Sequence, residues 1–160
     1  MIVRWLAALS ALALAATAPA QQLAPPTVGF STAPVTAGMW TYQALPGGSM
    51  ARFIDATGTA RFALECSKVT RRITIARTSA VAAPSLLLWT TDASRTVAVR
   101  FEPNAMRLAV DLGARDPLLD ALAFSRGRIA VSIGGAGLGG GALIMPAWPE
   151  IARTVEDCRI

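Results

Sequence analysis

Histidine is absent from the chain, lysine occurs once (Lys68), tyrosine once (Tyr42) and cysteine twice. Without histidine there is no Ser-His-Asp or Cys-His relay, and the commonest metal-ligating side chain is missing. Two cysteines alone do not make a structural zinc site. Lys68 is preceded three residues earlier by Glu65 rather than serine, so the S-x-x-K arrangement fails as well. Beyond residue 20 no apolar run approaches the roughly 20 residues that cross a bilayer. A dense basic stripe and stacking aromatics, the marks of a nucleic-acid binder, are also missing.

What is present begins with an export pattern. Arg4 precedes an apolar Ala- and Leu-rich run from Trp5 to Ala16, and Ala18-Pro19-Ala20 is a small-x-small site. Residues 1–20 therefore read as a secretory signal peptide cleaved after Ala20. Without Arg4 the remainder carries 14 basic against 10 acidic residues, a net +4 carried almost wholly by scattered arginines. Residues 21–38, with Pro25-Pro26 and Pro34, read as a Pro-rich flexible tether, and residues 39–160 as one domain. Two cysteines in an exported chain favour one disulfide, Cys66 to Cys158. Closing so long a loop stabilises by roughly 4 to 5 kcal/mol in the chain-entropy model.

The domain has a period of two. Met39–Leu45, Met50–Asp55, Arg61–Cys66, Ile73–Arg77, Leu86–Thr91, Arg95–Phe101, Met106–Asp111, Arg128–Ile133 and Ala142–Met145 read as short strands separated by turn signals. Alternation sets Phe62, Leu64 and Cys66 on one face of the third strand, Val97, Val99 and Phe101 on one face of the sixth, and Met106, Leu108 and Val110 on one face of the seventh. Asp116-Pro117 is an N-cap followed by a first-turn proline. It opens a helix near 117–125 that buries Leu118, Leu119 and Leu122 and is ended by Gly127. A second helix, near 149–158, places Ile151, Val155 and Cys158 on one apolar face. Strand and helix periodicities thus turn both cysteines inward independently. The expected fold is mainly β, an antiparallel β-sandwich or barrel with two short helices.

Several motifs bear on function. Gly135-Ala136-Gly137-Leu138-Gly139-Gly140 fits G-x-G-x-x-G, but strand residues and a proline follow it instead of a helix, so a hairpin connection is the reading and no nucleotide cofactor is implied. Asp55, Glu65, Asp111 and Asp120 are carboxylates formally available for glycoside hydrolysis, with no spacing that selects a pair. Arg126 and Arg128, with Arg71 and Arg72, are candidates for an anion or partner contact. The alternative for Arg126 is a structural role at the helix C-terminus. Trp40, Trp89 and Trp148 either line a pocket or fill the core.

From Asp116 to Val131, and again from Leu143 to Arg159, the wording resembles the C-terminal part of small exported proteins of alphaproteobacteria. More distantly, the layout of signal peptide, short strands, central cysteine and a last helix ending in cysteine is similar to the invasion-associated locus B proteins. That resemblance implies a periplasmic β-rich domain with a Cys66–Cys158 bridge and transfers no catalytic residue. The expectation is a non-catalytic periplasmic binding or accessory module for an envelope protein or polymer. The alternatives are an inhibitor of an envelope-directed enzyme and a carboxylate-dependent hydrolase of envelope polymers.

Overall fold

The computed structural model describes Gly29, residues 32–134 and residues 141–160. The expected signal peptide, most of the tether and the G-x-G-x-x-G run lie outside the described residues. Among the described residues ten strands form: β1 (Gly38–Leu45), β2 (Gly48–Asp55), β3 (Ala60–Ser67), β4 (Arg72–Thr78), β5 (Ser85–Trp89), β6 (Ser94–Ala98), β7 (Arg100–Glu102), β8 (Arg107–Gly113), β9 (Arg128–Ile133) and β10 (Leu143–Pro146). Two helices, α1 (Pro117–Ala123) and α2 (Pro149–Asp157), follow β8 and β10. Every strand pairing is antiparallel, in a six-stranded sheet ordered β1-β2-β3-β4-β8-β7 and a four-stranded sheet ordered β10-β9-β5-β6. The expected mainly β sandwich with two helices is what forms.

One shared core fills the space between the sheets, as period-two alternation requires of two inward faces. From the larger sheet it takes Phe53, Phe62, Leu64, Ile73, Ile75 and Leu108, and from the smaller Leu86, Leu88, Val97, Ile129, Val131 and Met145. Each such side chain, fully withdrawn from water, stabilises by about 1.5–3 kcal/mol. Trp40 packs edge-on against Phe53 and Phe62, with ring centroids 5.6 and 6.1 Å away. Its indole Nε1 donates to the Pro146 carbonyl at 2.8 Å, joining the β1 edge to the β10 edge.

The helices close the sandwich. Asp116 caps α1 by accepting from the Leu118 N–H at 2.9 Å, and Pro117 occupies the first turn. The same carboxylate oxygen takes Arg95 of β6 at 2.6 Å, so the cap also ties the helix to the smaller sheet. Leu118, Leu119 and Leu122 are buried as their spacing demands. Ile151, Val155 and Cys158 are buried likewise, and Cys158 is joined to Cys66 of β3 by a disulfide spanning a Cα–Cα distance of 5.5 Å. Tyr42 donates to Asp157 Oδ2 at 2.6 Å while Arg153 lies 3.8 Å over the Tyr42 ring, which holds α2 to β1.

Four expectations need correcting. Arg95–Phe101 is not one strand: β6 pairs with β5 in the smaller sheet and β7 with β8 in the larger, and the chain changes sheet at Val99. Strands that switch sheets make the corners of a sandwich, and Val97, Val99 and Phe101 still pack on the core. Met106 is exposed and left-handed (φ 48°) rather than inward, because the 3-10 turn Pro103–Ala105 ends on it and its N–H returns to the Pro103 carbonyl. β8 starts at Arg107 and adds Leu112 to the core. Thr90 and Thr91 leave β5, because the Thr90 hydroxyl bonds to Ala93 and the Thr91 hydroxyl to Arg126. Ordered structure also begins before Met39. The Thr36 N–H donates to the Ile144 carbonyl at 2.8 Å, and Ala33 packs on the outer cluster of Trp89, Ala130 and Ile144.

Candidate functional site

Each of the four carboxylates singled out in the sequence is paired with an arginine. Asp55 binds Arg61 at 2.8 Å, Glu65 binds Arg107 at 2.7 Å, Asp111 binds Arg100 at 2.8 Å and Asp120 binds Arg159 at 2.6 Å. Glu65 and Asp55 line different cavities. Glu65 and Asp111 are the ends of a chain across the outer face of the larger sheet, Glu65–Arg107–Glu102–Arg100–Asp111. Only Glu102 and Arg107 are direct register partners; Arg100 reaches Asp111 diagonally across β7 and β8, and Arg107 reaches Glu65 over the intervening β4, as long arginine side chains on one sheet face can. The Thr74 hydroxyl, and behind it Arg100, hold the Asp111 carboxyl below its ordinary range while partial burial pulls the other way. Arg107 is the chief cause of the lowering at Glu102. A general acid of glycoside hydrolysis needs a raised pKa, the opposite direction.

The arginines expected at an anion or partner contact fall into two separate places. Arg71 and Arg72 stand where β4 begins in the larger sheet. Arg71 takes a left-handed conformation (φ 50°) and reaches the Arg159 carbonyl at 3.4 Å, and Arg72 donates to the Asp111 carbonyl at 2.8 Å. Arg71 lines a shallow cavity of about 250 Å³ with Arg115, Arg159 and Cys158. Arg126 and Arg128 lie at the entry to β9 in the smaller sheet. Arg126 is exposed, and Arg128 is half-buried with its guanidinium on the Ala33 carbonyl. The three tryptophans line no common pocket: Trp40 is in the inner core, Trp89 in the outer cluster, and Trp148 on the surface.

The site that sequence reasoning missed is at the open mouth of the sandwich. Trp40, Phe53, Phe62, Arg77, Leu108 and Phe101 are register partners across the inner face of the larger sheet, so a lone arginine interrupts an apolar row. Its guanidinium crosses to the other sheet, donating to the Val131 carbonyl and, at 2.8 Å, to the Gly141 carbonyl. Burial first, and the charge of Arg61 second, push its pKa down to about 10. Beside it a cavity of about 280 Å³ is lined by Asp55, Arg61, Arg77, Thr78, Gly141 and Leu143, among others. Asp55 is committed there. Its Oδ1 accepts from the Thr57 N–H, the Thr57 hydroxyl and the Thr59 N–H, and its Oδ2 takes Arg61 Nε. The Thr57 hydroxyl is the largest of the influences that lower its pKa. A signal for Arg77 existed, since alternation from Ile73 through Ile75 assigns Arg77 to the core face.

Among the described residues no group of three or more His, Cys, Asp or Glu is placed to hold a metal ion, and no helix is long and apolar enough to cross a membrane. The class of molecule is therefore defined by the fold: a disulfide-linked antiparallel β-sandwich closed by two helices. No family model matches the chain, and no curated protein or solved structure matches it.

Proposed function

We propose that this chain is exported to the periplasm and serves there as a non-catalytic binding or accessory module for an envelope protein or polymer. The observation that carries the reading is the pairing of every candidate carboxylate with an arginine, which engages each in a salt bridge instead of leaving it free for acid–base work. Export is supported by the Met1–Ala20 pattern together with the bridge, because a disulfide persists in an oxidising compartment. The layout shared with the invasion-associated locus B proteins points the same way.

Inhibition of an envelope-directed enzyme is a second reading, favoured by the turn between β3 and β4. Its Val69 is 88% exposed, close in sequence to disulfide-linked Cys66, so a rigid support presents an apolar tip. Pre-organised loops of this kind bind at low entropic cost.

The test is crosslinked capture from periplasmic extract on the oxidised domain, run beside Val69→Asp and an Arg71→Glu/Arg72→Glu double variant. The expected result is a partner retained by the parent domain and lost from one of the two variants. Release of new reducing ends from envelope glycan, abolished by Asp→Asn changes at Asp55 or Asp111, would overturn the non-catalytic reading.

A further inference from the structure

Three hollows among the described residues have the shape of a site: the trough on the outer face of the larger sheet, the arginine-lined hollow beside the disulfide, and the mouth cavity. The trough, about 270 Å³, has Glu65, Arg107 and Arg52 in its wall: Glu65 pairs with Arg107, and Arg52 donates to the Gln43 side-chain oxygen at 3.4 Å. The hollow beside the disulfide, lined by Arg71, Arg115 and Arg159, is shallow; there Arg159 is engaged by both Asp120 and Glu156, and Arg71 reaches the Arg159 carbonyl. The mouth differs in holding a partly buried guanidinium, that of Arg77, which rests on backbone carbonyls and on no carboxylate of the described residues. Its wall holds two guanidinium groups against one carboxylate, a net charge of one positive unit facing a cavity of about 280 Å³.

The bonding within that wall is also asymmetric. Asp55 spends both oxygens, three donors going to Oδ1 and Arg61 Nε to Oδ2. The ion pair therefore fixes Arg61 through Nε, and no acceptor among the described residues takes its two terminal nitrogens. Arg61 is half-exposed, so those N–H groups meet solvent at the cavity. Arg77 is held on two backbone carbonyls and on no carboxylate, so its charge is not neutralised locally. Two like charges near one partly buried cavity repel, and a bound anion relieves both at once. Planar guanidinium forks suit the oxygens of phosphate and carboxylate groups. The adjoining Thr78 hydroxyl already donates to the Ala60 carbonyl at 2.6 Å, so it adds polarity without closing the space.

We propose that the mouth of the sandwich, between Arg61 and Arg77, is a binding site for one compact oxyanion group, a phosphate or a carboxylate. The inference rests on the binding-module reading and names the chemistry that module recognises. The cavity has room for one such group together with the sugar unit that carries it. A bound anion offsets the repulsion from Arg61, the second influence after burial on the lowered pKa of Arg77.

The experiment is calorimetric titration of the oxidised domain with inorganic phosphate and, separately, with glucuronate, at constant ionic strength. Saturable one-to-one binding of at least one probe is expected, and the stronger probe tells phosphate from carboxylate. Arg61→Gln leaves the carbonyl bonds of Arg77 intact and is expected to weaken binding about tenfold or more. Arg61→Lys recovers part of that loss, and Arg100→Gln, on the opposite face of the same sheet, leaves affinity unchanged. Binding of neither probe, or equal affinity in the parent and Arg61→Gln, overturns the site. Those outcomes leave the capture of a partner through Val69 or Arg71 and Arg72 untouched, so the two readings fail separately.

Discussion

At the scale of single residues, charge is the quantity this chain controls most closely. With no histidine and both cysteines oxidised, no side chain of ordinary pKa changes charge between about pH 5 and pH 8. Asp55, Glu102, Asp111 and Asp157 all have lowered folded-state pKa values, from starting points of 3.8 for aspartate and 4.5 for glutamate. At Asp157 burial is the largest influence and acts upward, but hydrogen bonds led by the Tyr42 hydroxyl outweigh it. For a carboxyl of lowered pKa the stabilisation is complete above the unfolded value and disappears as pH falls through the folded one. The thermal midpoint followed by circular dichroism is therefore expected to be flat from about pH 5 to 8 and to drop below about pH 4. A midpoint that moved between about pH 6 and 7 would contradict this. Gly48 is the second sensitive position, since a Cβ there runs into the Cys66 carbonyl oxygen on the neighbouring strand. Gly48→Ala is expected to lower unfolding free energy by about 1–3 kcal/mol in urea titrations, an overpacking cost beside the disulfide.

Between single residues and the molecule stand the elements, where alternation in the sequence was informative up to a definite limit. It assigned Phe62, Leu64 and Cys66 to the core face, and those residues are buried. It did not reveal the corner at Val99, because Val97, Val99 and Phe101 point inward whichever sheet they join. Parity reports the face of a residue and carries no information about its neighbouring strand. Met106 was misplaced for a related reason: the left-handed turn after Pro103 resets the register, and Leu108 and Val110 look the same on either side of it. The last helix was legible because its i, i+4, i+7 pattern ends on a cysteine. Its attachment to β1 was not, since Tyr42 and Asp157 are 115 residues apart. Tyr42→Phe removes that hydrogen bond and is expected to cost about 1 kcal/mol. Hydrogen exchange should locate the effect in α2 rather than in the sheets. Uniform loss of protection across β3 and β4 would contradict the local role.

For the whole molecule, the bridge between residues 92 apart fastens the end of α2 to β3 of the larger sheet, while the shared core and the Trp40–Pro146 bond join the two sheets. Cys66→Ser/Cys158→Ser is expected to lower stability by roughly 4–5 kcal/mol in the chain-entropy model. α2 should lose exchange protection before the strands do, because its remaining ties are a few polar contacts and one buried stripe. The mouth site belongs to this scale as well. Arg61 comes from β3, Arg77 from β4 and Leu143 from β10, and only the folding of one sheet over the other brings them to a single cavity. Sequence spacing alone therefore gave no sign of the pair, although the parity of Arg77 marked half of it.

The most direct measurement is the intact mass of the protein recovered from its own cell fraction without reductant. A periplasmic species beginning at Gln21 is expected, lighter by two hydrogens than its reduced form and inert to thiol alkylation. A full-length species, or one that takes up two alkyl groups before reduction, would contradict it.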